Sequence, residues 1–204
     1  MRLIGMMNSP YVRRVAATLH HVGVGFDHDP VSVFREYDRF ERINPVVKAP
    51  TMITDDGVVL MDSTLILGYI ERELAPHVPL TPDSRVDYER HQRILGLALA
   101  GCEKTVQLIY EQTQRPEERR HPPWMARVRQ QGTAAFTSLE REIGVTGQWL
   151  FGDRLTLADI TVAVVWDFAL AMMPDLADET QHPKLADFTR FAEQYPALRA
   201  CART

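Results

Sequence analysis

The segment that most constrains what this chain can fold into is residues 157–170. Leu157, Ala158, Ile160, Val162, Ala163, Val164, Val165, Trp166, Phe168, Ala169 and Leu170 make a helical stretch that is apolar on nearly every side. Such a helix leaves water only if other elements surround it. Its start is written into the sequence as well. Thr156 and Asp159 have the spacing of a capping box, in which each side chain satisfies the other residue's backbone N–H. Leu155 and Ile160 fall on the two positions of a hydrophobic staple around that box. Asp159 is therefore given a structural role, not that of a catalytic carboxylate. The chain must supply a helical domain with this segment at its centre.

The surrounding helices can be found on both sides. Val86 to about Gln112 reads as one long helix and Trp124 to about Ile143 as a second, with the polar loop 115–123 between them. A connector, Gly144 to Gly152, carries Trp149, Leu150 and Phe151. A last helix and tail run from Pro183. The first long helix is rich in small residues from Gly96 to Cys102. Glycine inside a helix costs up to about 1 kcal/mol relative to alanine, so a close helix contact, or a groove lined by this face, is expected to offset it.

The first 75 residues follow a different rhythm. A short apolar run, Leu3 to Met6, precedes a helix whose Val12, Val15, Ala16 and Leu19 share a face. A weak strand follows at 26–29 and a short, half-exposed helix between Val33 and Ile43. Pro50 stands immediately before a strand at 51–53, where an X-Pro bond makes a cis peptide least costly. Asp55-Asp56-Gly57 signals a hairpin, Val58 to Met61 is the returning strand, and Asp62-Ser63 caps a helix running to about Leu74. The order is β-α-β-α-β-β-α. Pro76, Pro79 and Pro82 then mark a linker. The expected division is residues 1–78, a linker at 79–84, and a helical domain over 85–204.

Ser9 sits at the first strand-to-helix turn, followed by Pro10, whose missing N–H suits the first helical position. Two readings stay open on this segment alone. Ser9 caps the helix with its hydroxyl, or the helix start holds an anion such as a thiolate, with Ser9 as its donor.

Composition excludes several classes. Of 204 residues 45% are hydrophobic and 25% charged, which fits a soluble globular protein of one large or two small domains. A net charge of −4 argues against nucleic acid as the main partner. No apolar run approaches the roughly 18 residues that span a membrane. The opening residues have no signal-peptide pattern, so a cytoplasmic location is expected. Cys102 and Cys201 suit a reducing compartment. His20, His21 and His28 lack metal-ligand spacing, and no metal is expected.

Taken together, the thioredoxin-like β-α-β-α-β-β-α unit with its proline, the N-P-x-x-K-x-P stretch at 44–50, the Asp62-Ser63 pair and the G-D-x-x-T-x-A-D box at 152–159 resemble the cytosolic glutathione S-transferase family. The resemblance implies an α/β thioredoxin-like N-terminal domain followed by an all-α domain, and covers nearly the whole chain. It implies that Pro50 is the family's cis-proline, presenting the backbone of Ala49 to the cysteinyl part of glutathione. Asp62 and Ser63 resemble the pair that grips the γ-glutamyl end, and Lys48 the basic residue near the glycyl carboxylate. Ser9 resembles the hydroxyl of the serine-type transferases, which donates to the glutathione sulfur. The same element resembles the C-P-Y-C motif of glutaredoxins with both cysteines missing, so dithiol redox chemistry is not expected. The implied function is detoxifying transfer of glutathione, as co-substrate, to a small hydrophobic electrophile. Tyr11, Tyr110 and Trp166 are the candidates for the electrophile wall, and a homodimer is implied. The alternatives are a catalytically silent binding module of the same fold and a glutathione-dependent isomerase or dehalogenase.

Overall fold

A computed structural model describes residues 1–144 and 147–203. It divides into two compact units, Met1–Leu80 with Gln194–Thr204, and Thr81–Glu193. Val145 and Thr146, inside the expected connector, lie outside the described residues.

The first unit is built on a four-stranded sheet in the order β2-β1-β3-β4, from β1 (Arg2–Ile4), β2 (Asp27–Asp29), β3 (Thr51–Ile53) and β4 (Val59–Met61). β1 pairs with β2 in parallel and with β3 in antiparallel fashion, and β3 with β4 again antiparallel. A parallel pair needs a crossover, and helix α1 (Pro10–Val22) provides it. Successive strand residues face opposite sides. Ile4 therefore joins Val31 and Phe40 in one buried cluster, with Ile43, Val47 and Ile53 packed against it; Phe40 and Ile43 come from α2 (Tyr37–Ile43). Leu3 and its partner Met52 are equally buried on the other face. Helix α3 (Ser63–Tyr69) continues as a π-helical turn over Ile70–Leu74.

The tail from Gln194 packs within this unit. Arg13 on α1 is buried, and its Nε donates to the carbonyl of Cys201 at 3.0 Å, just past α8 (Pro196–Arg199). A cation at a helix C-terminus meets carbonyls without intrahelical partners. His21 Nδ1 also lies 3.2 Å from the Tyr195 hydroxyl.

The second unit holds α4 (Arg85–Thr113), α5 (Pro122–Glu142), α6 (Leu157–Met172) and α7 (Pro183–Ala192). Twelve of the sixteen α6 residues are buried, as an all-round apolar helix requires. The capping box forms. Asp159 accepts the Thr156 N–H at 2.7 Å and hydroxyl at 2.6 Å, and also the N–H of Leu150 at 2.7 Å. Burial nonetheless pushes the Asp159 pKa up. A further partner is His91 of α4, whose Nε2 accepts the N–H of Ala158 at 3.3 Å.

The small-residue stretch of α4 finds its close contact inside the chain. A Cβ on Gly101 would lie 2.8 Å from Cε1 of Phe136 on α5, and Ala98 and Cys102 are fully buried. Gly96 is exposed and faces open space within 4 Å. Close packing of α4 on α5 thus explains Gly101 and leaves Gly96 outside that contact.

Candidate active site

Ser9 occupies the N-cap position of α1 with extended backbone angles, yet its side chain makes no capping hydrogen bond. The Ser9 carbonyl accepts the Arg13 N–H at 2.9 Å, the ordinary first bond of the helix. Pro10 at the first helical position carries no N–H, one of the donors that a helix start otherwise leaves unpaired. The capping role expected for the hydroxyl is therefore absent, and this half-buried hydroxyl keeps its donor for another partner.

The turn before Ser9 is tied closely to the proline segment. Gly5, with φ of 132°, ends β1. A Cβ there would lie 2.6 Å from Cγ2 of Val12 and 3.1 Å from Cβ of Ala49. Only glycine permits both that angle and that approach. The start of α1 and the residue before Pro50 thus meet around a bare backbone. Ala49–Pro50 is cis, as expected. Behind it, Asn44 is buried; its Nδ2 donates to Thr51 Oγ1 at 2.9 Å, and the Thr51 hydroxyl donates to the Lys48 carbonyl at 2.7 Å.

Asp62 is the N-cap of α3, with Oδ1 accepting the Thr64 N–H at 2.9 Å. Its φ of 69° is unusual for a residue with a side chain. Its other oxygen lies 3.8 Å from Lys48 Nζ, both side chains about half exposed. Lys48 and Asp62, carried over separately as ligands for opposite ends of a peptide, are therefore near neighbours. Ser63 is 4% exposed, and its hydroxyl oxygen accepts from Arg14 Nη1 at 3.1 Å. Thr64 Oγ1 accepts from the same nitrogen at 3.2 Å. Arg14 escaped the sequence reading. It lies five residues after Ser9, and nothing local in Val12-Arg13-Arg14-Val15 distinguishes a buried guanidinium from a solvated one.

The aromatic candidates separate. Tyr11, on α1, is half-buried. Tyr110, on α4 of the second unit, is 45% exposed, and its hydroxyl pKa is raised by partial burial. Trp166 is a correction. It is 0% exposed, with its ring edge-on to Phe136 and His182. It fills the core around α6 and presents no surface to a ligand. Among the described residues, no group of three or more His, Cys, Asp or Glu side chains is placed to hold a metal ion. No helix among them is long and apolar enough to cross a membrane.

Comparison with known proteins matches both halves. The profile described as "Glutathione S-transferase, N-terminal domain" matches residues 3–77, and that described as "Glutathione S-transferase, C-terminal domain" matches residues 122–200. Glutathione S-transferase U3 of Arabidopsis thaliana is 26% identical over 98% of this chain and 87% of its own length. Maleylacetoacetate isomerase of Pseudomonas aeruginosa is 29% identical over 78% of this chain and 77% of its own. A crystal structure of a glutathione S-transferase from Methylobacterium radiotolerans, in complex with glutathione sulfonate, superposes with a TM-score of 0.90 at 29% identity. It covers 99% of this chain and 94% of that one.

Proposed function

From the premise that the chain is an enzyme of the glutathione S-transferase family, we propose that it binds glutathione in its first unit and transfers the thiolate to a small hydrophobic electrophile. The observation that carries the reading is the hydroxyl of Ser9, placed at a helix start and making no capping bond. A thiol of cysteine type has a pKa near 8.5, so little of it is nucleophilic at neutral pH. A hydroxyl donor and a helix N-terminus both favour the thiolate. Ser9 acts here as a neutral donor and not as a nucleophile. The thiol proton is lost to water, the sulfur's electron pair forms the new carbon–sulfur bond, and either the leaving group departs with its bonding pair or, in an addition, the carbanion formed takes a proton from water.

The remaining contacts follow the same assignment. The main chain of Ala49, next to Pro50, takes the cysteinyl amide. Asp62 pairs with the α-ammonium, Ser63 donates to the α-carboxylate at the start of α3, and Lys48 serves the glycyl carboxylate. Local support is the contact of α1 with α3 through Arg14 and Ser63; Lys48, 3.8 Å from Asp62, leaves that exposed ion pair to reach the glycyl carboxylate. Tyr11 in the first unit and Tyr110 in the second remain, each by itself, aromatic candidates for contact with the electrophile. A cytoplasmic homodimer with a detoxifying role completes the proposal.

Isothermal titration with glutathione tests the ligand. Asp62→Ala should weaken binding by about 1.5–3 kcal/mol through loss of a charge-assisted bond; unchanged affinity removes Asp62 from the site. A panel of aromatic halides, enones and epoxides then reads turnover. The 29% identity to maleylacetoacetate isomerase favours one second reading, in which glutathione is returned unchanged after a double-bond isomerisation. Isomerised substrate with no net consumption of glutathione distinguishes it.

A further inference from the structure

We propose that Arg14 is a positioning residue for the γ-glutamyl end of glutathione, acting through the hydroxyl of Ser63; this rests on the ligand site proposed above. Arg14 is only 1% exposed, so it is not itself presented to a ligand. Its Nη1 donates to Ser63 Oγ at 3.1 Å and to Thr64 Oγ1 at 3.2 Å.

A guanidinium only donates. In the Arg14–Ser63 bond the Ser63 oxygen is therefore the acceptor, and its own hydrogen points away from Arg14. That fixes the hydroxyl as a donor toward whatever lies on its other side. A charged donor also polarises the hydroxyl it bonds to, which strengthens the next bond in the chain. An anionic carboxylate is the partner such a donor suits best. One nitrogen, Nη1, bridges two adjacent side chains, and this pins the first turn of α3, where Asp62 Oδ1 accepts the Thr64 N–H at 2.9 Å. Arg14 and Ser9 sit on the same helix, so α1 presents a donor for the sulfur at its start and, one turn on, orients the donor for the carboxylate.

The test is a binding cycle on the full chain with two ligands. One is glutathione; the other is 4-aminobutanoyl-cysteinyl-glycine, which lacks only the γ-glutamyl α-carboxylate. Arg14→Met should weaken glutathione about 10-fold, the scale of one hydrogen bond to a charged group. It should change affinity for the decarboxylated analogue less than about 2-fold, because the group it serves is gone. In a Ser63→Ala background the Arg14→Met effect on glutathione should vanish, since the relay is already cut. Arg14→Lys should recover part of the loss. Equal weakening of both ligands by Arg14→Met overturns the proposal, because it reports general loss of packing. Unchanged glutathione affinity overturns it as well. If Arg14→Met does not fold, Arg14→Lys carries the same two-ligand comparison with the same overturning outcome. Wild-type protein that binds glutathione while Arg14→Met binds it equally well removes only the Arg14 role. Wild-type protein that does not bind glutathione removes the ligand reading and this inference with it.

Discussion

Acid should weaken the second unit through one histidine. The His91 side chain is fully buried, and Nε2 accepts the N–H of Ala158 in the first turn of α6. That role requires a neutral ring. With Nε2 accepting, the hydrogen of the neutral ring sits on Nδ1, which is buried and without a hydrogen-bond partner. A second proton would turn the acceptor into a donor facing another donor, at the positive end of a helix. Burial lowers the pKa of His91 from 6.5 to about 4. The sign follows directly. Between these values the unfolded chain binds more protons than the folded one, so stability is intact above pH 6.5 and falls as the pH drops toward 4. Linkage gives a loss of about 2 kcal/mol between pH 7 and pH 5 from this residue. Trp124, Trp149 and Trp166 all lie within Thr81–Glu193, so tryptophan fluorescence in a urea titration follows this unit. Wild type should lose about 2 kcal/mol more than His91→Gln between the two pH values, with the slope of the transition unchanged. Equal losses in the two proteins would refute the claim that His91 is held neutral at the helix start.

Three further outcomes are expected. Asp159→Ala removes the bonds to Leu150 and Thr156 and should cost about 2 kcal/mol or more by chemical denaturation, with glutathione affinity unchanged; a stable variant that has lost binding would show the residue to be misassigned. Gly101→Ala places a methyl 2.8 Å from the buried ring of Phe136, and overpacking of about 1–3 kcal/mol should exceed the helix-propensity gain of about 1 kcal/mol; an unchanged or raised melting temperature would contradict that contact. Ser9→Ala should leave stability within about 0.5 kcal/mol, because no capping bond is lost. It should also raise the pKa of bound glutathione, read as the pH dependence of thiolate absorbance; a destabilised variant with normal thiol titration restores the capping reading.

What the sequence made legible depended on how local the cause was. The capping box, the staple and the all-apolar run of α6 act within a few residues, and the box and Leu155 and Ile160 stand where the pattern put them. The β-hairpin, the cis proline and the cap at Asp62 belong to the same class. Ser9 shows the boundary of that logic. Its residue type and its place before proline favour a capping hydroxyl, yet the side chain makes no such bond. Trp166 and Gly101 failed in another way. An aromatic ring and a helical glycine state a volume but not its neighbour, and here Trp166 and Gly101 both meet Phe136, 30 and 35 residues away along the chain. Arg14 is the extreme case. Its partners are 49 and 50 residues downstream, and its burial depends on α1 packing against α3, which is not written in any single segment. A buried guanidinium is costly unless its hydrogen bonds are met. The two hydroxyls at the start of α3 therefore help to explain why the arginine is tolerated there.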